Sequence, residues 1–240
     1  DTLVQANYLQ ALKNSKFQAG HFAFSHQKAA NNTQEQAIRL YEKHLHHHVN
    51  SLSTALSPYA FHSVGSTIFS TKKAYQKYGH LNAKKMAGED FYFLQSLAKN
   101  GIPINQITAT SVHPSARLSD RTPFGTGQSI CDIEESGVFL TYNPKCYLEL
   151  KSLLEIVTKN ISLNSEIILS LLEQESKFAA DFLKEKSFVE TLEKLRSNSK
   201  NSDDLLKRFH QWFDGFQSLK FIHYTTERAF QKVDVNELDD

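Results

Sequence analysis

Over the first 141 positions, apolar residues fall into short runs separated by polar breakers, some runs with strand spacing and others with helical spacing. The pattern predicts a helix over Asn7–Asn14, a strand over Ala19–His26, and a long helix capped by Asn32 or Thr33 that reaches about Leu56. A strand over Gly65–Ser70 comes next, then a helix over Lys72–Tyr78 stopped by Gly79. A helix over Gly88–Asn100 stopped by Gly101 and a strand over Asn105–Val112 complete the series. Strands separated by helices predict an α/β layer structure.

Beyond Pro144 the spacing becomes helical throughout. Leu150, Leu153, Leu154 and Val157 share one face, as do Ile167, Ile168, Leu171 and Leu172 after the capping-type residues Asn164 and Ser165. Phe178, Phe182 and Leu183 read as a continuation of that face, and Phe188, Leu192 and Leu195 as the next. A final helix is predicted from Ser202, with Asp203 and Asp204 in its first turn, where negative charge suits the helix dipole. It is expected to carry Leu206, Phe209, Phe213, Phe216 and Leu219 on one side. Ser197–Ser202 is the best linker candidate. The expected organisation is an α/β portion over 1–143 and a helical extension over 144–240.

Composition narrows the function classes. Lys and Arg number 27 against 26 Asp and Glu, so no polybasic field points to nucleic acid or an anionic membrane. Cys131 and Cys146 stand in no metal-ligand spacing and suit a reducing compartment. Neither a leader nor an apolar run of about 18 residues is present, so the expected location is cytoplasmic, with no transmembrane segment. The chain opens at Asp1 without an initiator Met, and natural sequence is expected before it.

Two groups of residues could carry chemistry. Glu89 and Asp90 open a predicted helix whose following residues are apolar. There the free N–H groups and the dipole can hold and orient a general base, although first-turn capping charges give the same pattern. His44, His46, His47 and His48 lie on the long helix, with His44 and His48 on one face. A zinc-dependent hydrolase built on them is one rival reading, but the spacing lacks the Glu of a metalloprotease helix, and an aromatic-like surface beside Tyr41 is the preferred one.

Segments in fixed order supply further context: Ser57-Pro58-Tyr59-Ala60-Phe61-His62, Gly65-Ser66-Thr67-Ile68-Phe69, Lys72-Lys73-Ala74-Tyr75, Tyr78-Gly79 and Gly88-Glu89-Asp90. This order resembles the acceptor half of family 2 glycosyltransferases, which have the GT-A fold, over roughly residues 1–130. The resemblance implies a partial GT-A-like mixed sheet flanked by helices. It also implies a hexosyl- or related transferase, inverting, that moves a sugar from a nucleotide-diphosphate sugar to a carbohydrate or other hydroxyl acceptor. Asp90, beside Glu89, takes the place of the family's catalytic base. Asp1-Thr2-Leu3-Val4-Gln5-Ala6-Asn7-Tyr8-Leu9 looks like the family's metal motif cut at its last Asp. Asp1, with His113 as a further ligand, is accordingly expected to hold Mg2+ or Mn2+. The nucleotide-binding half is then expected to precede residue 1, and this chain alone is expected to bind nucleotide sugar weakly or not at all.

The resemblance further assigns Arg117 and Arg121, in the loop from Val112 to Gln128, to the donor diphosphate. Tyr59, His62 and Ser66 are implied as sugar contacts. The C-terminal helices could pair two copies of the chain. The alternative to an enzyme is a noncatalytic α/β and helical interaction module.

Overall fold

A computed structural model of the protein describes residues 2–78, 88–116, 133 and 137–238. It is an α/β structure. The chain divides into two compact units, one of Asp1–Val49, Phe61–Thr141 and Asp234–Asp240, the other of Asn50–Ala60 and Tyr142–Val233.

The first unit is built on a mixed sheet. Its strands are β1 (Leu3–Val4), β2 (Ala19–Phe24), β3 (Ile68–Ser70) and β4 (Ile104–His113), in the order β1-β4-β2-β3. β2 and β4 run parallel at the centre, while β1 and β3 pair antiparallel at the edges. The central strand β2 is buried at every position but one, as a strand covered on both faces should be. Gly20 makes the central pairing possible, because a Cβ there would lie 1.8 Å from the Asn105 carbonyl oxygen. Helix α1 (Tyr8–Ser15) closes one face, with Ala11 in a small core of Phe22, Ile107 and Val112.

Among the described residues the other longer helices of this unit are α2 (Asn32–Thr54), α3 (Lys72–Tyr78) and α4 (Glu89–Lys99). The last turn of α2 falls in the second unit. Three of the boundaries that differ from the sequence reading have a local reason. Asn31, rather than Asn32 or Thr33, caps α2, its side-chain oxygen accepting the Gln34 N–H at 2.9 Å. β2 ends before His26, whose N–H turns to the Glu42 carboxylate. The strand expected from Gly65 begins only at Ile68, because Gly65–Thr67 forms a 3-10 turn in which the Thr67 N–H and hydroxyl both return to the Val64 carbonyl.

The second unit is helical. It contains α5 (Pro144–Asn160), α6 (Ser165–Glu175), α7 (Lys177–Glu185), α8 (Phe188–Ser197), α9 (Ser202–Trp212) and α10 (Gly215–Arg228). Asn143, Asn164, Ser176, Asn201 and Asp214 each accept a backbone N–H at a helix start. Two of these caps break runs that periodicity joined. Ser176 separates α6 from α7, and Asp214 divides the expected final helix after Trp212, which turns Phe216 outward to 37% exposure. Leu150, Leu153, Leu154, Phe182, Leu183, Phe209 and Phe221 fill the core, each burial contributing about 1.5–3 kcal/mol. Among the described residues no helix is long and apolar enough to cross a membrane.

Candidate functional site

Asp90 occupies the first turn of α4, behind Gly88, which sits at the N-cap in a left-handed conformation and has no side chain to cap the helix. No side-chain oxygen caps the first turn, and the charges of Glu89 and Asp90 in it suit the positive end of the helix dipole. Glu89 is exposed and Asp90 half-buried. The Asp90 carboxyl lies directly against Gly65, the first residue of the 3-10 turn. Burial raises its pKa above the ordinary carboxylate value, and the neighbouring Glu89 charge adds to the rise. A half-buried carboxylate with a raised pKa at a helix start is suited to take a proton from a neutral donor.

The segment that brings Gly65 to Asp90 also places a group of imidazoles. His62, only 6% exposed, meets the rings of His21 on β2 and His46 on α2 nearly edge-on, at 5.3 and 4.9 Å, and that of Phe24 at 5.1 Å. Its Nδ1 is buried without a hydrogen-bond partner. Burial pushes the His62 pKa down to about 3, helped by His21, His46 and His48. His21 is also lowered by burial, against the effect of its bond to the Phe22 carbonyl. His62 and His21 are therefore neutral at pH 7, able to accept from or donate to an uncharged hydroxyl. Sequence reading singled out His62 and the histidines of α2 but not His21. An imidazole inside the apolar run Ala19–Phe24 was the available signal.

At the end of β4, His113 is half-buried, and its Nδ1 donates to the Ser25 carbonyl at 2.9 Å, so Nε2 is the ring nitrogen left to face a ligand. Ser25 is held from behind. Arg39 on α2 donates to the Ser25 hydroxyl and the His26 carbonyl, and it pairs with Glu35 and Glu42. Glu42 in turn accepts from the ring and backbone of His26. Burial alone would raise the Glu42 pKa, but the bonds from His26 and Arg39 outweigh it and hold this carboxylate below its ordinary value. The sequence reading missed this network, although the spacing of Glu35, Arg39 and Glu42 along one helix face was a signal.

In the register of the β1–β4 pair, Leu3 stands opposite His113. Asp1, the other expected metal ligand, lies outside the described residues, as do Arg117 and Arg121. Among the described residues no three His, Cys, Asp or Glu side chains are arranged to hold a metal ion. Among the described residues His113 thus stands as a single candidate ligand. The same holds for the histidines of α2: His44 stacks on His48 and packs beside Tyr41 and Phe139, and its Nδ1 lies 2.7 Å from the Thr141 hydroxyl.

The two other expected sugar contacts fare differently. Ser66 is exposed beside Gly65. Tyr59 belongs to the helical unit, buried, with its hydroxyl donating to the His210 carbonyl. Its pKa is raised by burial and then by Asp214. The hydroxyl offered to a sugar by the sequence is therefore already engaged within that unit.

No protein-family model matches this chain, and no curated protein or solved structure was found similar to it.

Proposed function

We propose that the α/β unit is the acceptor side of a GT-A-type glycosyltransferase, inverting, that uses a nucleotide-diphosphate sugar and takes Asp90 as its general base. The observation that carries this reading is the seat of Asp90: a half-buried carboxylate in the first turn of a helix, pressed against Gly65 and raised in pKa. In the reaction it accepts the proton of an acceptor hydroxyl as that oxygen attacks the anomeric carbon and the nucleotide diphosphate departs. The neutral His62, with an unmet hydrogen-bond site, and the exposed Ser66 lie on the segment that supplies Gly65 and are assigned to the acceptor. Arg117 and Arg121 are assigned to the diphosphate by their place in the sequence. Dependence on Mg2+ or Mn2+ belongs to the same reading, with His113 presenting Nε2.

The experiment is a transfer assay on the full-length enzyme with a set of nucleotide-diphosphate sugars and hydroxyl acceptors. Asp90→Asn is expected to lower kcat by about 10²–10⁴-fold while nucleotide-sugar affinity, read by calorimetry, stays within about twofold. Transfer at the wild-type rate by Asp90→Asn removes Asp90 as the base.

A further inference from the structure

We propose that Gly65 is a positioning residue for Asp90: the missing side chain at position 65 is what lets the Asp90 carboxylate lie against the backbone of the 65–67 turn. The inference rests on the reading of Asp90 as the base. A Cβ at Gly65 would fall 2.4 Å from Asp90 Oδ2, 2.8 Å from Cγ and 3.0 Å from Oδ1, so the whole carboxyl group, and not one flexible tip, occupies the space a side chain needs. Backbone freedom does not explain the glycine. Gly88, Gly101 and Gly137 have positive φ, and Gly65 does not.

Neither partner can yield cheaply. The turn is fixed by Thr67, fully buried, which returns both its N–H and its hydroxyl to the Val64 carbonyl at 2.8 and 2.7 Å, while the Ile68 N–H bonds the Gly65 carbonyl. Asp90 is short and anchored on a helix, so its carboxyl can leave the contact only by changing rotamer. A methyl group at position 65 therefore displaces the carboxylate from its seat and returns it to water. Because burial is the larger cause of the raised Asp90 pKa, displacement also moves its titration back toward the ordinary value of 3.8.

The test needs no known substrate at first. Carbon-detected NMR of protein labelled at the Asp side-chain carboxyl is used to titrate Asp90 in the wild type and in Gly65→Ala. The wild-type group is expected to titrate above 3.8 and the variant group to move toward it. Thermal unfolding supplies the second arm. Gly65→Ala should lower Tm by about 3–6 °C when Asp90 is present, and by less than about 1 °C in an Asp90→Ala background, where the clash is gone. An unmoved Asp90 titration, or an equal loss of Tm in both backgrounds, overturns the proposal. In the transfer assay, Gly65→Ala should lower kcat at least about tenfold with little change in the donor KM and carry the acid limb of kcat/KM to lower pH. It should add nothing to the loss caused by Asp90→Asn. If the titration shift and thermal coupling are found while both single variants transfer at full rate, the seat stands and the reading of Asp90 as base is overturned.

Discussion

In the helical unit, buried hydroxyls are answered close at hand: Ser165 bonds Glu193, Ser176 bonds Glu149, Ser218 bonds the Asp214 carbonyl and Thr225 the Phe221 carbonyl. The remainder of its interior is aliphatic and aromatic, and the unpaired His210 Nδ1 and Gln217 Oε1 flank the break between α9 and α10. The α/β unit instead buries ionisable groups, namely His21, His26, Glu42 and His62, among its apolar side chains. Burying imidazoles and carboxylates costs free energy that apolar side chains of similar volume would not. The unit that carries this cost is the one that holds Asp90, which is what a site in one unit and a packed scaffold in the other would produce.

Substitutions can break that contrast. The largest effect on stability is expected in the helical interior. Phe209 is fully buried, stacks on Phe213 at 5.8 Å and touches Trp212, so Phe209→Ala should cost about 3–5 kcal/mol, read by urea unfolding. Transfer per folded molecule is not expected to change. Should Phe209→Ala unfold nothing, the packed-scaffold half of the contrast is lost.

A smaller cost is expected in the α/β unit. Glu42→Ala leaves the buried His26 N–H and the Arg39 guanidinium without their shared acceptor, at about 2–3 kcal/mol. Because Arg39 also holds Ser25, whose carbonyl fixes His113, the same variant should disturb the His113 ring resonances. Phe209→Ala should not, and equal disturbance by both variants would erase the distinction.

The smallest effect at neutral pH, and the most pH-dependent, is assigned to His62. Its folded pKa of about 3 lies below the ordinary 6.5, so between these values the unfolded chain binds a proton that the folded chain refuses. Stability is therefore complete above about pH 6.5 and is lost as the pH falls toward 3. His62→Phe should leave the urea midpoint nearly unchanged at pH 7.5 and make it less sensitive to acid between pH 6 and 4. A variant that loses stability as steeply as the wild type would show that His62 is not the group responsible.

Much of the architecture was legible in the sequence. Helix α1, the start of strand β2, helices α3 and α4 and strand β4 fall where hydrophobic spacing and Gly101 put them to within about a residue, and Asn164 caps α6 as read. The errors came where one polar side chain outweighed a pattern: Asn31 at the start of α2, Ser176 and Asp214 inside apparent continuous helices. A periodic apolar face is compatible with one helix or two, and the cap decides.

The site was less legible. Glu89 and Asp90 announced themselves as an acidic helix start, and His62 and His113 as isolated imidazoles at segment ends. That Asp90 would rest on Gly65, that His21 and His46 would close on His62, and that Arg39 would reach His113 through Ser25 could not be read from spacing. Periodicity and capping are local, so the sequence by itself determined where helices and strands form and which faces are apolar. Which polar side chains share a desolvated space depends on residues brought together from different elements. Desolvation and close charge set the character of Asp90 and His62, and only the tertiary structure decided those.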